Sequence, residues 1–281
     1  MKIRITSDST CDLSPELIEK YNIAISPLEV IKAGEPKLDG IEITPQDIFD
    51  HMEQTGTPCT TSAVSVSRYL DFFGELKKDC DAIIHFCISS SMSCCYQNAV
   101  IAAQELGGIY PVDSANLSTG IGHLVLDAAI MAEEGKTAEE IVAELNRLIR
   151  LVDSSFVVDT LTYLVKGGRC SALAAFGANM LSLKPCIEVK DGAMGVGKKY
   201  RGSIAKCLAK YVEERLSGND NVDDRRVFIT DSGISDEIYD LVLAKVREFG
   251  NFKEIIHTRA GCTVSSHCGP GTLGIIYYRK H

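Results

Sequence analysis

The chain alternates short apolar runs with hydroxyl-rich and acidic turns, and the period of those runs switches between strand and helix. The clearest case lies between Asp81 and Asn98. Residues 82–88 are almost continuously apolar, which predicts a strand covered on both faces of a parallel sheet. Ser89, Ser90, Ser91 and Ser93 follow with cap-type side chains, and good helix formers run over 96–106. A strand feeding a helix start is a ready anion site, because unpaired amides and the helix dipole favour the same charge.

The rest of the pattern extends this alternation. Residues 2–6 predict a strand ending in Ser7-Asp8-Ser9-Thr10, after which Pro15 sits early in a helix. A second strand is expected over 23–31. Thr44 opens a helix running to about residue 54, and Thr60-Thr61-Ser62 precedes an amphipathic helix over 64–76. Residues 109–112 predict a strand, and helices follow over 120–134 and 137–151, the second with a capping box in Thr137 and Glu140.

Near residue 155 the character changes. A strand over 155–160, a break at Gly167-Gly168 and an apolar helix over 170–183 lead to a hairpin over 186–196 that turns at Asp191-Gly192. A helix over 203–216, a strand over 227–230, a helix over 236–249 and two final strands close the list. The expected fold is α/β in two domains, with a mostly parallel sheet and flanking helices in 1–155 and a mixed sheet with helices in 156–281.

Composition narrows the classes. With 281 residues, 45% of them apolar and 24% charged, the chain is an ordinary globular protein with room for one or two cores. A net charge of −9 argues against nucleic-acid binding, which needs clustered Lys and Arg. Neither a signal peptide nor a membrane-length apolar run is visible, so a cytoplasmic location is expected. The 11 cysteines are an odd number, form no CxxC pair and often sit in apolar runs, as structural thiols do. Cys262, His267 and Cys268 lack a second ligand cluster that would complete a zinc site, so no metal and no cofactor is expected.

Several candidates for chemistry are weak on inspection. Gly192 to Lys198 nearly spells a phosphate-binding loop, but Lys199 replaces the required Ser or Thr and a hairpin explains the glycines. Ser93 and His267 with an aspartate such as Asp8 or Asp113 would make a hydrolase triad, yet no GxSxG elbow occurs. Two features go further. Thr60-Thr61-Ser62 and Ser89 to Ser93 each place hydroxyls ahead of a helix, and converging turns of this kind can hold a carboxylate without a paired lysine. Ordinary capping accounts for either turn alone. The segment 171–183, SALAAFGANMLSL, lacks a polar stripe, so it packs in a core or covers an apolar ligand. An apolar wall beside an anion site suits an amphiphile with one carboxylate and a long tail.

With these residues in view, the chain resembles the DegV family of fatty-acid-binding proteins. The resemblance spans the whole length: Ile5-Thr6-Ser7-Asp8-Ser9, Thr61-Ser62 with Ser65, Ile88 to Ser93 with Tyr96-Gln97-Asn98, Val112-Asp113-Ser114, Leu164 to Arg169 with Leu183-Lys184-Pro185, and His267-Cys268-Gly269-Pro270-Gly271. It implies a two-domain DegV-like α/β fold with a long-chain fatty acid in a tunnel between the domains. The implied protein is not itself an enzyme. In bacteria such proteins present the acyl carboxylate to a separate fatty-acid kinase, which makes acyl phosphate for phospholipid synthesis.

By position, Thr61, Ser62, Ser93 and His267 would bind the carboxylate. Arg169 and Arg201 would lie at the head-group end, where the kinase docks, and Phe176, Met180 and Leu181 would line the tunnel. A monomer is expected, and the serine-type acyl hydrolase using Ser93 and His267 stays as the alternative. The chain departs from the family pattern at Cys94, where glycine is common, and at Val64, where proline is common. Both adjoin the carboxylate site.

Overall fold

The run at residue 82, apolar except for His85, becomes the inner strand of a parallel sheet, buried at all six of its positions. The computed structural model describes residues 1–170 and 183–281. In chain order the first half holds β1 (Ile3–Asp8), α1 (Pro15–Lys20), β2 (Ala24–Ser26), β3 (Glu29–Lys32), β4 (Glu35–Leu38), α2 (Pro45–Thr55) and β5 (Thr60–Ser62). It continues with α3 (Val66–Leu76), β6 (Ala82–Cys87), α4 (Cys95–Leu106), β7 (Ile109–Asp113), α5 (Thr119–Glu133) and α6 (Ala138–Leu148). The second half holds β8 (Val152–Val157), α7 (Thr162–Gly167), β9 (Leu183–Lys190), β10 (Ala193–Arg201), α8 (Ile204–Leu216) and β11 (Val222–Ser232). Last come α9 (Asp236–Phe249), β12 (Glu254–Arg259), α10 (Cys262–Cys268) and β13 (Thr272–Arg279).

Three sheets result among the described residues. One is parallel throughout, in the order β2-β1-β6-β7. The second is mixed, in the order β10-β9-β8-β13-β11-β12, with only β11 and β12 parallel. This is the expected α/β pairing of a parallel with a mixed sheet. A small third sheet, β4-β3-β5, was not expected. Pro27 and Leu28 divide the strand expected over 23–31, so that β2 joins the first sheet and β3 the third. The turn residues Thr60 to Ser62 are likewise a short strand, paired with β3.

Local chemistry accounts for most element starts. Ser14 accepts the Leu17 N–H with Pro15 in the first turn of α1, and Thr44 with Asp47 and Thr137 with Glu140 form complete capping boxes. The hairpin turns at Asp191 and Gly192, whose φ of 50° and 79° suit the tight turn expected there. Two short helices escaped the pattern, α7 and α10. The helix expected over 170–183 falls outside the described residues, except that Leu183 opens β9 and Cys170 is buried.

α5 is buried at nearly every position and lies between the two large sheets. On one side the core packs it with Ile84 and Phe86, and on the other with Phe156, Phe228 and Ile276. A second core fills the far face of the mixed sheet under α8 and α9, with Leu208, Val212, Val242 and Val246. Burying a predominantly apolar helix this way follows from its lack of a polar stripe, and its buried polar side chains His123 and Asp127 find partners at the Ile276 carbonyl and at Arg226.

Candidate functional site

β5, the turn after β6, and α10 meet at a cavity of about 510 Å³. It opens beyond the carboxyl ends of β1 and β6, where the parallel sheet changes direction from β2 on one side to β6 on the other. Such a switch point leaves a crevice, because successive connections depart to opposite sides.

The turn after β6 is anchored by its neighbours. Asp8, ending β1, accepts the Ile88 N–H at 2.8 Å, and Asp113, ending β7, accepts the Ser90 N–H at 3.1 Å. Burial pushes the Asp8 carboxyl up to about 6. Ser89 Oγ donates to the Gly192 carbonyl at 2.6 Å, which brings the hairpin tip onto the turn. A Cβ on Gly192 would sit 2.7 Å from Ser89 Oγ, so the close approach adds to the positive φ in favouring glycine there.

The first helix of the site, α4, then begins at Cys95 with no side-chain cap on its N-cap residue, Cys94. The expected capping by the serine cluster is realised one residue outside the helix. Ser93 Oγ accepts the Cys95 N–H at 3.3 Å and donates to Cys95 Sγ at 3.3 Å. Asn98 on α4 donates to the Val64 carbonyl at 2.8 Å, tying this helix to the segment after Thr61 and Ser62.

Across the cavity, Thr61 Oγ1 and His267 Nε2 are hydrogen-bonded at 2.9 Å. Burial, with the Arg169 cation nearby, pushes the imidazole down to about 4, so it is neutral at pH 7. Its Nδ1 is buried without a partner among the described residues and lies against Gly167, where a Cβ would be 2.3 Å away. The Lys166-Gly167-Gly168-Arg169 run therefore has a structural meaning. Gly167 makes room for the ring, Gly168 ends α7 at φ 67°, and Arg169 turns back to donate to the Gly167 carbonyl at 2.7 Å while lining the cavity mouth.

α10, with the sequence CTVSSHC, has little intrinsic helix propensity. Distant carboxylates hold its start. Asp39 accepts the Cys262 N–H at 2.8 Å and the Thr263 N–H at 3.0 Å, and Asp12 accepts the Gly261 N–H at 2.8 Å. Burial pushes the Asp12 carboxyl up to about 8. The floor of the cavity is apolar, made by Leu28, Ile88, Met92, Leu117, Met194 and Val264, all buried. Leu117, Val264 and Cys268 also line a small inner cavity of about 30 Å³ that extends past Phe156 and Ile276.

Five of the residues singled out in the sequence thus share one cavity wall: Thr61, Ser62, Ser93, Arg169 and His267. Cys94 is on it too, exposed, whereas Val64 is fully buried behind it. Arg201 ends β10, exposed and away from this wall. Phe176, Met180 and Leu181 lie outside the described residues. Thr263, Leu28 and Met194 are wall residues that sequence reasoning missed. Thr263 alone had a signal, standing four residues before His267, and that spacing speaks only once α10 is known to be a helix.

The hydrolase arrangement is not supported. Among the described residues Ser93 is bonded to Cys95 and His267 to Thr61, with no hydrogen bond joining serine to histidine. Burial holds the Cys268 thiol up at about 12, Cys262 donates to the Ile43 carbonyl, and no group of three His, Cys, Asp or Glu among the described residues could hold a metal. No described helix is long and apolar enough to cross a membrane.

Known proteins resemble this chain over its whole length. A family model described as uncharacterised protein, DegV family, matches residues 2–280. A DegV domain-containing protein of Clostridium acetobutylicum is 34% identical over 282 residues, covering 100% of this chain and 99% of its own. A solved structure described as showing fatty acid binding of a DegV family protein from Thermus thermophilus superposes with a TM-score of 0.90 at 32% identity, over 99% of this chain and 100% of that one. A stearic acid-binding protein from Eubacterium ventriosum superposes with a TM-score of 0.83 at 27% identity, over 99% and 98%.

Proposed function

The chain belongs to the DegV family, and on that premise we propose that it binds a long-chain fatty acid and presents the carboxylate to a separate fatty-acid kinase. The observation that carries this reading is the Thr61–His267 hydrogen bond, set in the same cavity as Ser93 and Cys94 at the start of α4. A neutral imidazole that donates through Nε2 to Thr61 leaves the threonine proton free for a ligand oxygen. Ser62 and Ser93 add hydroxyls from the same wall, and the first amides of α4 favour an anion. Together they supply the hydrogen bonds without which a buried carboxylate would be very costly. Arg169 adds positive charge at the mouth.

The tail follows the apolar floor toward the inner cavity between α10 and the mixed sheet. About 0.8 kcal/mol per buried methylene gives a long acyl chain a gross gain on the order of 10 kcal/mol, before the cost of ordering it. In this reading the chain performs no chemistry of its own. It acts as a cytoplasmic carrier and a monomer of two domains, divided near residue 155. Arg169 and Arg201, both exposed, are offered to the kinase, which forms the acyl phosphate used in phospholipid synthesis.

Mass spectrometry of an organic extract of the purified protein tests the binding step and should recover a fatty acid. Recovery of none, together with no binding in titration, would falsify it. Adding a fatty-acid kinase and ATP to the loaded protein tests the presentation step, with acyl phosphate as the expected product.

A further inference from the structure

Thr263 belongs to the cavity wall but to none of the roles assigned so far. It is 4% exposed, and its Oγ1 is buried without a hydrogen-bond partner among the described residues. A threonine hydroxyl inside a helix ordinarily bonds a carbonyl one turn back or reaches water. Burying one unpaired is unfavourable, because the hydroxyl gives up water and gains nothing in return. Thr263 and His267 stand at i and i+4 on α10, so their Cβ atoms are neighbours on one helical face, about 5–6 Å apart. The residue cannot easily turn away, because its own amide and that of Cys262 are fixed on the Asp39 carboxylate. The next residue, Val264, and Cys268 one turn further line both the outer and the inner cavity. Thr263 therefore stands where the polar wall gives way to the apolar path.

From this placement we infer that Thr263 is a further ligand-binding residue, its hydroxyl donating to the second oxygen of a carboxylate held by Thr61, Ser62 and Ser93, with His267 orienting Thr61. A carboxylate has two oxygens and about four acceptor sites, so the additional donor has an acceptor to serve. The inference rests on the fatty-acid reading above and specifies how the free acid is recognised.

Affinities of lauric, myristic and palmitic acids for the wild type, Thr263→Val and Thr263→Ser, measured by titration at neutral pH, test it. Thr263→Val should weaken all three acids by one common factor of about tenfold or more, the effect of losing a hydrogen bond to a charged group. The gain in affinity per added methylene should stay unchanged, and Thr263→Ser should restore most of the loss. The ligand-free Val variant should melt no lower than the wild type, since it removes an unpaired buried oxygen. Wild-type binding with no effect of Thr263→Val overturns this inference alone. So does a change in the per-methylene gain, which would place Thr263 on the tail, or a lower melting temperature, which would give its hydroxyl a structural partner. If the wild type binds none of the three acids, the fatty-acid reading falls and this inference with it.

Discussion

The two helices that frame the cavity begin in opposite ways. α10 has its first amides filled by carboxylates more than 200 residues distant in sequence, Asp12 and Asp39. α4 has no side-chain cap on Cys94 and only the Ser93 hydroxyl beside it. A helix start filled from within the protein cannot take a ligand anion, whereas an open one can. The filled helix serves a different end. It fixes a segment of poor propensity so that His267 and Thr263 face the cavity. One start serves positioning; in the proposed function the other faces the ligand.

Breaking the filled start should have the largest effect. Asp39→Ala removes the acceptor of the half-buried Ser9 Oγ and of the Cys262 and Thr263 amides, the latter two at or near full burial. A loss of about 3 kcal/mol or more is expected in denaturant unfolding, since each stranded buried donor costs about 1–3 kcal/mol. A loss below about 1 kcal/mol would mean the two helix starts do not differ.

Gly167→Ala moves only what the filled helix positions. Its methyl would meet His267 Nδ1 and push the ring off Thr61. Fatty-acid affinity should fall about tenfold or more, as when a hydrogen bond to a charged group is lost, and titration would report it. Unchanged affinity would detach the imidazole from binding.

Ser93→Ala probes the open start. Binding should weaken about tenfold, while stability changes by less than about 1 kcal/mol, the size of one capping bond. A stability loss as large as the binding loss would instead favour ordinary capping as the role of Ser93.

The smallest effect is on pH dependence. His267 titrates at about 4 in the folded chain against 6.5 when unfolded, so between those values the unfolded state binds more protons. Stability from this group is therefore full above 6.5 and is lost as pH falls toward 4. His85 and His123, both lowered to about 3 by burial, act in the same direction. His267→Gln should make unfolding curves less steeply pH-dependent between about 4 and 6.5, without abolishing the trend.

Much of the fold was legible because it rests on local rules. β6 is an apolar run interrupted only by His85, two capping boxes stand in the text of the chain, and Asp191-Gly192 marks its hairpin. The third sheet was not legible, because the strands on either side of Pro27 and Leu28 read as one apolar run while belonging to different sheets. α10 was not legible either, since its stability comes from carboxylates no window of sequence contains. The hydroxyls of Thr61, Ser62 and Ser93 could be nominated from turn chemistry. Their partners could not, and the serine thought to need a histidine instead bonds Cys95.

What the sequence determined by itself was the alternation of α and β elements, the parallel and mixed halves, and a short set of candidate donors. Those follow from periodicity and turn chemistry, which act over a few residues. Which helix start stays open, which imidazole nitrogen meets Thr61, and that Thr263 shares a wall with His267 were decided only by the tertiary structure. Each depends on groups far apart in the chain being brought within hydrogen-bond reach, and that proximity comes from burying the two large sheets against α5.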